Sequence, residues 1–237
     1  MDLLWPIKWL IELILVGFHT LFSSIGFSFD SGASWVLAII GLVLVVRAAL
    51  IPVFVRQIKS QRNMMLVQPE LAKLQKKYKG KTDRESRERF AKEQMDLYKR
   101  TGSNPLSSCL PLILQMPIFM GLFFVLNGAQ NNSAGVGVLN AELARSFSSA
   151  QLFGAQLSDT FFGSPDLNVK IIAGIMIILM SSSQFITQKQ IMAKNQNPET
   201  QNSQFMQTQK IMLYALPAVF LFSGLTFPLG VMTYWLV

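Results

Sequence analysis

The chain has 237 residues, of which 51% are hydrophobic and only 14% charged, with a mean hydropathy of +0.36. Against the roughly 25% charge of soluble domains, this composition excludes an ordinary soluble fold and marks a polytopic, all-α membrane protein. One cysteine and one histidine exclude an intramolecular disulfide and argue against a zinc site or a Ser-His-Asp triad, so neither metal nor cofactor is expected. The net charge of +8 lies between residues 56 and 104, where 14 Lys/Arg meet 6 Asp/Glu; elsewhere there are 7 of each. Such a basic stretch suits nucleic acid in a soluble protein, but beside a membrane span it more simply marks the cytoplasmic side.

Residues 1–34 open the chain. Residues 1–22 are apolar with a few charges, and no A-x-A cleavage site follows, so no removed signal peptide is expected. Lys8, Glu12 and His19 share one helical face, and Trp5 and Trp9 suit a headgroup interface. The expectation is an external helix lying on the membrane surface, with a further span as the alternative. Residues 27–34, with Asp30 and Gly32, read as a turn.

The first span is 35–56. Trp35–Val55 is 21 residues long and carries a single charge, Arg47. An arginine within such a helix costs about 2.5–3.5 kcal/mol on insertion scales, so water, a partner or a substrate must face it. Arg47 lies eight residues before Val55, about 12 Å at ~1.5 Å per residue, which strains the alternative of snorkelling to the interface. Pro52 should kink the last turns.

Residues 57–104 form a charged cytoplasmic helical hairpin. Pro69 is expected to restart a helix at Glu70, with Leu71, Leu74 and Tyr78 as its apolar stripe. Lys79–Lys81 is a turn. Thr82 and Glu85 fit a capping box, and a second helix runs to about Arg100 and ends at Gly102. The charges suit either a solvated surface or a partner.

The second span is 105–127, with Pro111, Gln115 and Pro117 inside it. Residues 128–168 form an external loop rich in Gly, Asn and Ser, whose 152–162 segment is expected on the membrane surface. The third span, 169–188, carries Ser181, Gln184 and Gln188 on one face. A cytoplasmic loop, 189–210, leads to the fourth span, 211–228. Residues 229–237 begin a fifth span, and nine residues are too few to complete it, so truncation within that span is expected. By charge, the loops 56–104 and 189–210 are cytoplasmic, while 1–34 and 127–168, each −2, are external. This puts the N-terminus outside and a completed C-terminus in the cytoplasm.

The intramembrane polar residues gather at one level. Arg47, Gln115, Ser181, Gln184 and Gln188 all fall in the cytoplasmic half, and no Asp or Glu lies in any span. An unpaired cation among amides and hydroxyls fits a wet pocket open to the cytoplasm and closed outside. The plainer alternative for the Gln and Ser side chains is helix–helix hydrogen bonding.

Four stretches carry a resemblance: VVRAALIP, QPELAKLQKKY, NPLSSCLPLILQMPIFMGLFF and FPLGVMTYW. Together they resemble the YidC membrane-protein insertase family, which includes the Oxa and Albino-type proteins, over residues 35–237. The chain is most similar to the short Gram-positive or actinobacterial form, a multi-pass protein of the bacterial plasma membrane. The resemblance implies a chaperone, not an enzyme, that inserts and helps fold newly made membrane proteins. It implies a five-helix core with a hydrophilic groove open to cytoplasm and lipid, with Arg47 as the groove arginine. Gln184 or Gln188 and Trp235 would line that groove, and the 57–103 hairpin would be the cytoplasmic segment needed for insertion. Implied partners are nascent membrane-protein substrates, the Sec translocon, the lipid bilayer and the ribosome, the last through parts beyond this sequence. A small transporter or channel is the rival from another class. It would predict an internal repeat and polar residues through both leaflets, and neither is visible. A structural subunit holding Arg47 against a partner's acid is a third.

Overall fold

The computed structural model describes residues 3–101, 110–194 and 204–237. The expected helix end at Gly102, the first residues of span two, and residues 195–203 of the expected cytoplasmic loop lie outside these. Eight helices are described: α1 (Trp5–Ile25), α2 (Gly32–Tyr78), α3 (Arg84–Thr101), α4 (Leu110–Gln130), α5 (Ala141–Ser149), α6 (Leu167–Lys194), α7 (Gln204–Gly224) and α8 (Leu229–Leu236). The strands β1 (Gln151–Leu152) and β2 (Ala155–Gln156) form a small antiparallel hairpin. By length and composition, Trp5–Ile25, Gly32–Arg56 and Leu167–Ala193 can each cross a membrane. The apolar helical segments Leu114–Gln130 and Lys210–Gly224 are shorter. A mostly helical, all-α membrane protein is therefore what the sequence folds into.

The chain divides into two compact units: residues 1–49, 114–186 and 215–237, and residues 50–113 and 187–214. The first unit holds the main apolar core. Ile11 and Leu15 of α1, Trp35, Ile39 and Leu42 of α2, Leu122 and Leu126 of α4, and Phe147 of α5 are all buried in it. α1 meets α2 where Phe18 covers Gly41, and meets α4 where Ile7 and Ile11 cover Gly121; a Cβ at either glycine would come within 2.7–2.8 Å of these side chains. Gly32 starts α2 against the Gln151 carbonyl, where any side chain would overlap that backbone.

The polar stripe of α1 is not turned to water. Glu12 and His19 are fully buried, while Trp5, Leu10 and Leu13 are exposed. The Glu12 carboxyl accepts the backbone N–H groups of Val136 (2.7 Å), Gly137 (2.8 Å) and Leu139 (3.3 Å). His19 stacks on Trp35 at 3.8 Å, and its Nε2 lies 2.9 Å from the Phe29 carbonyl. The Trp35 indole N–H donates to Ser146 Oγ at 3.0 Å, and Ser146 donates to the same Phe29 carbonyl at 3.1 Å. These buried groups thus find partners inside the protein, as burial demands, with only His19 Nδ1 among them left unmet.

The 128–168 loop is more ordered than its composition suggests. Asn140 caps α5 by accepting the Leu143 N–H at 2.8 Å, and α5 buries Leu143, Ala144 and Phe147. The 152–162 segment folds as the β hairpin and its return. α8 docks on that return through Leu229 N to Asp159 O (3.0 Å) and Gly230 N to Leu157 O (2.9 Å).

In the second unit, two expectations need correction. α2 is a single 47-residue helix that passes through both Pro52 and Pro69, so Pro69 does not restart it. Val67 and Leu71 sit four apart across Pro69 and both bury against Leu97 and Tyr98 of α3. That contact holds both sides of the proline to one partner, and opposes the break that a lost backbone donor would cause. The α3 cap is Asp83, not Thr82: Asp83 Oδ2 accepts the Ser86 N–H at 2.8 Å. That bond keeps the Asp83 carboxyl below the usual carboxylate range. Lys77 Nζ meets both Glu93 oxygens at 2.8 Å and Tyr78 donates to Glu93 Oε1 at 2.8 Å. The Lys77 ammonium first, and the Tyr78 hydroxyl second, hold the Glu93 carboxyl low, and Glu93 raises Lys77.

Candidate functional site

The site gathers around the Arg47 end of α2. From Trp35, α2 buries Ala38, Ile39, Leu42 and Val43 at helical spacing. Packing then loosens: Val46 is half-buried and Arg47 is exposed. Among the described residues, the ion pairs are Lys77–Glu93, Arg84–Glu88 and Arg89–Glu85, and none involves Arg47.

The Arg47 guanidinium lies within electrostatic reach of the Tyr234 phenol on α8. The Tyr234 hydroxyl accepts from Gln115 Nε2 on α4 at 2.9 Å. One turn along α4, Phe119 packs on Trp235 with ring centroids 5.2 Å apart. Phe220 of α7 meets the other side of Trp235 at 4.5 Å, edge to face. Trp235 therefore joins α4, α7 and α8, and its neighbour Tyr234 holds Gln115.

Of the six residues that sequence reasoning singled out, Arg47, Gln115 and Trp235 fall in this cluster. Ser181 lies on α6, buried, and Gln184 follows it one turn on, half-buried. Gln188, also half-buried, belongs to the second unit. Tyr234 is the residue that sequence reasoning missed. Its signal was available, since it is a phenol beside Trp235 in an otherwise apolar helix.

Among the described residues five buried side-chain atoms have no hydrogen-bond partner: His19 Nδ1, Gln68 Oε1, Gln130 Oε1, the Ser181 hydroxyl and the Trp235 indole N–H, the last two on residues that the sequence singled out. Leaving such a group unmet costs about 1–3 kcal/mol. Among the described residues no group of three or more His, Cys, Asp or Glu is placed to hold a metal.

Apolar helices long enough to cross a membrane define a multi-pass, all-α membrane protein. Comparison with known proteins makes the class specific. The family described as 60Kd inner membrane protein matches residues 27–237. The chain belongs to this family, in which the expected YidC and Oxa-type proteins fall. A Tropheryma whipplei protein named Membrane protein insertase YidC is 45% identical over 244 aligned residues, covering 99% of this chain and 79% of that protein. Proteins of the same name from Streptomyces avermitilis and Bifidobacterium longum are 42% and 37% identical. Those matches cover 98% and 99% of this chain, and 53% and 71% of theirs. The chain is thus a multi-pass protein of the bacterial inner membrane.

Proposed function

We propose that this protein inserts newly synthesised membrane proteins into the bilayer and helps them fold. The observation that carries this reading is Arg47: an exposed guanidinium in a membrane-crossing helix with no ion-pair partner among the described residues. The names of the relatives support it.

The mechanism follows from the cost of moving a polar tail through hydrocarbon. A hydrophilic groove open to cytoplasm and lipid shortens that path. Arg47, Gln115, Ser181, Gln184, Gln188 and Trp235 would line it, with Tyr234 fixing Gln115 beside the cation. Arg47 attracts acidic residues of the tail to be translocated. The membrane potential and burial of the guest's apolar helix then drive release. No covalent step is required. The five-span arrangement, with the N-terminus outside and a C-terminus expected in the cytoplasm, rests on loop charge. The hairpin of α2 and α3 would serve as the cytoplasmic docking element. The Sec translocon and the ribosome are the partners this role calls for.

The test is reconstitution of the protein alone into liposomes with a single-span substrate whose N-tail must cross. Protease protection of that tail measures insertion. Unaided insertion supports the reading, whereas solute flux without insertion identifies a transporter or channel. Arg47→Lys should retain substantial insertion of an acidic tail, since it keeps the point charge. Arg47→Ala should lose most of it, and Arg47→Glu should be worst. Neutralising the tail's acids should shrink these differences. Equal loss with both tails would instead assign Arg47 to keeping the groove wet or the helices packed.

A further inference from the structure

We propose that the β1–β2 turn and the Phe161–Phe162 segment form a lipid anchor, seated in the bilayer interface and upper acyl region beside α6. It rests on α6 crossing the membrane and not on insertase activity.

Three observations point there. The turn holds two successive residues with positive φ, Phe153 at 52° and Gly154 at 85°. This is the turn in which Asn-Gly is the usual pair, and a bulky aromatic is a poor choice for it on backbone grounds. Yet Phe153 is there, with 83% of its surface exposed. Water gives no reason to display a phenyl ring at such a position, whereas a lipid interface does.

The turn is also fixed in place. Its base is closed by the pairs Gln151–Gln156 and Leu152–Ala155, with Ala155 and Leu157 fully buried. The Phe153 carbonyl accepts Asn168 Nδ2 at 3.1 Å, which ties the tip to the first turn of α6. Phe153 therefore stands beside Leu167, which is itself 70% exposed.

The third observation concerns depth. Phe161 packs with Val169 and Ala173 and reaches Gly174 of α6. Gly174 lies seven residues past Leu167, about 10 Å along the axis at ~1.5 Å per residue. Phe162, whose ring centroid is 5.5 Å from that of Phe161, is 68% exposed at this level. Along the same helix Ile171, Ile175, Ile178 and Leu179 are each more than half exposed. Spaced at three and four, they form one stripe, the face that α6 offers to lipid. Leu167, four residues before Ile171, continues this stripe at its loop end, where Asn168 holds the Phe153 carbonyl and Phe161 carries Phe162 beside the helix. That continuity selects a lipid leaflet over a second protein as the occupant. Asp166 and Gln156, both exposed, supply the polar neighbours of an interfacial site.

The test uses the full chain with Cys109→Ser, spin-labelled at single cysteines and reconstituted in liposomes. Phe153→Cys and Phe162→Cys are compared with Ile175→Cys on the lipid stripe and with Glu142→Cys on the exposed side of α5. Collision with oxygen, which partitions into lipid, is measured against collision with a water-soluble nickel chelate. The expected result is an oxygen-to-nickel ratio at 153 and 162 several-fold above that at 142, with 162 nearer to 175. A ratio at either position equal to that at 142 would overturn the anchor. Low accessibility to both reagents at 153 would mean that protein covers the turn, and would overturn the assignment to lipid.

Discussion

The two ends of one helix segment, Trp35–Arg47, treat polar groups in opposite ways. At the Trp35 end, Glu12, Trp35 and Ser146 are buried and each has a resident partner. His19 Nδ1 is the exception, although the same ring is held through Nε2. At the Arg47 end, the guanidinium is exposed without an ion pair among the described residues, and the Trp235 indole N–H goes unmet. Low dielectric makes each satisfied network stiff and each unsatisfied group ready for a ligand. Stability should therefore be concentrated at the first end and function at the second.

Substitutions can break that contrast, and on stability they rank as follows. Glu12→Leu should be the most damaging, since it orphans three backbone N–H groups at about 1–3 kcal/mol each. Glu12→Gln, which keeps one carbonyl oxygen, should cost clearly less. Trp35→Ala should follow at about 3–5 kcal/mol, a fall in Tm of order 10 °C by thermal unfolding in detergent. Arg47→Ala should stay within about 0.5 kcal/mol of the parent, while its insertion of acidic tails falls most of the way. A large Tm loss in Arg47→Ala would erase the division between a sealed end and a working end.

The smallest effect belongs to the α2–α3 hairpin. Among the described residues its buried apolar core is Val67, Leu71, Leu97 and Tyr98. Amide exchange should show readier opening in α3 than in α4. The Glu93 carboxyl is held low by Lys77, so what it contributes is present above the ordinary carboxylate range and lost as pH falls through the depressed value. Protection factors around Glu93 should decline on acidification, and Glu93→Gln should flatten that response.

Much of this division was legible in the sequence. The apolar runs at 35–55 and 169–186 fall within helices able to cross a membrane, and the single charge in Trp35–Val55 singled out Arg47. Four features were missed, each for a physical reason. The spacing of Glu12 and His19 revealed a face but not its direction. In lipid the polar face turns inward, and only the 136–139 backbone shows what it meets. Pro69 looked like a break because its rescue comes from α3, distant in sequence. α5 carried a readable cap at Asn140, but its Gly- and Ser-rich surroundings hid it. Tyr234 joined the site only through a hydrogen bond to a residue 119 positions away.

The Glu12 contacts span 124 to 127 residues of sequence. Synthesis at about 5–20 residues per second therefore leaves that side chain waiting roughly 6–25 s for its donors. During that interval α1 is already made, while the segment that will satisfy it has yet to be translated and carried across. The protein is thus born with the predicament it is proposed to relieve in others, a polar group stranded at a membrane until the next piece of chain arrives. Its own biogenesis should lean on an earlier copy of the same machinery.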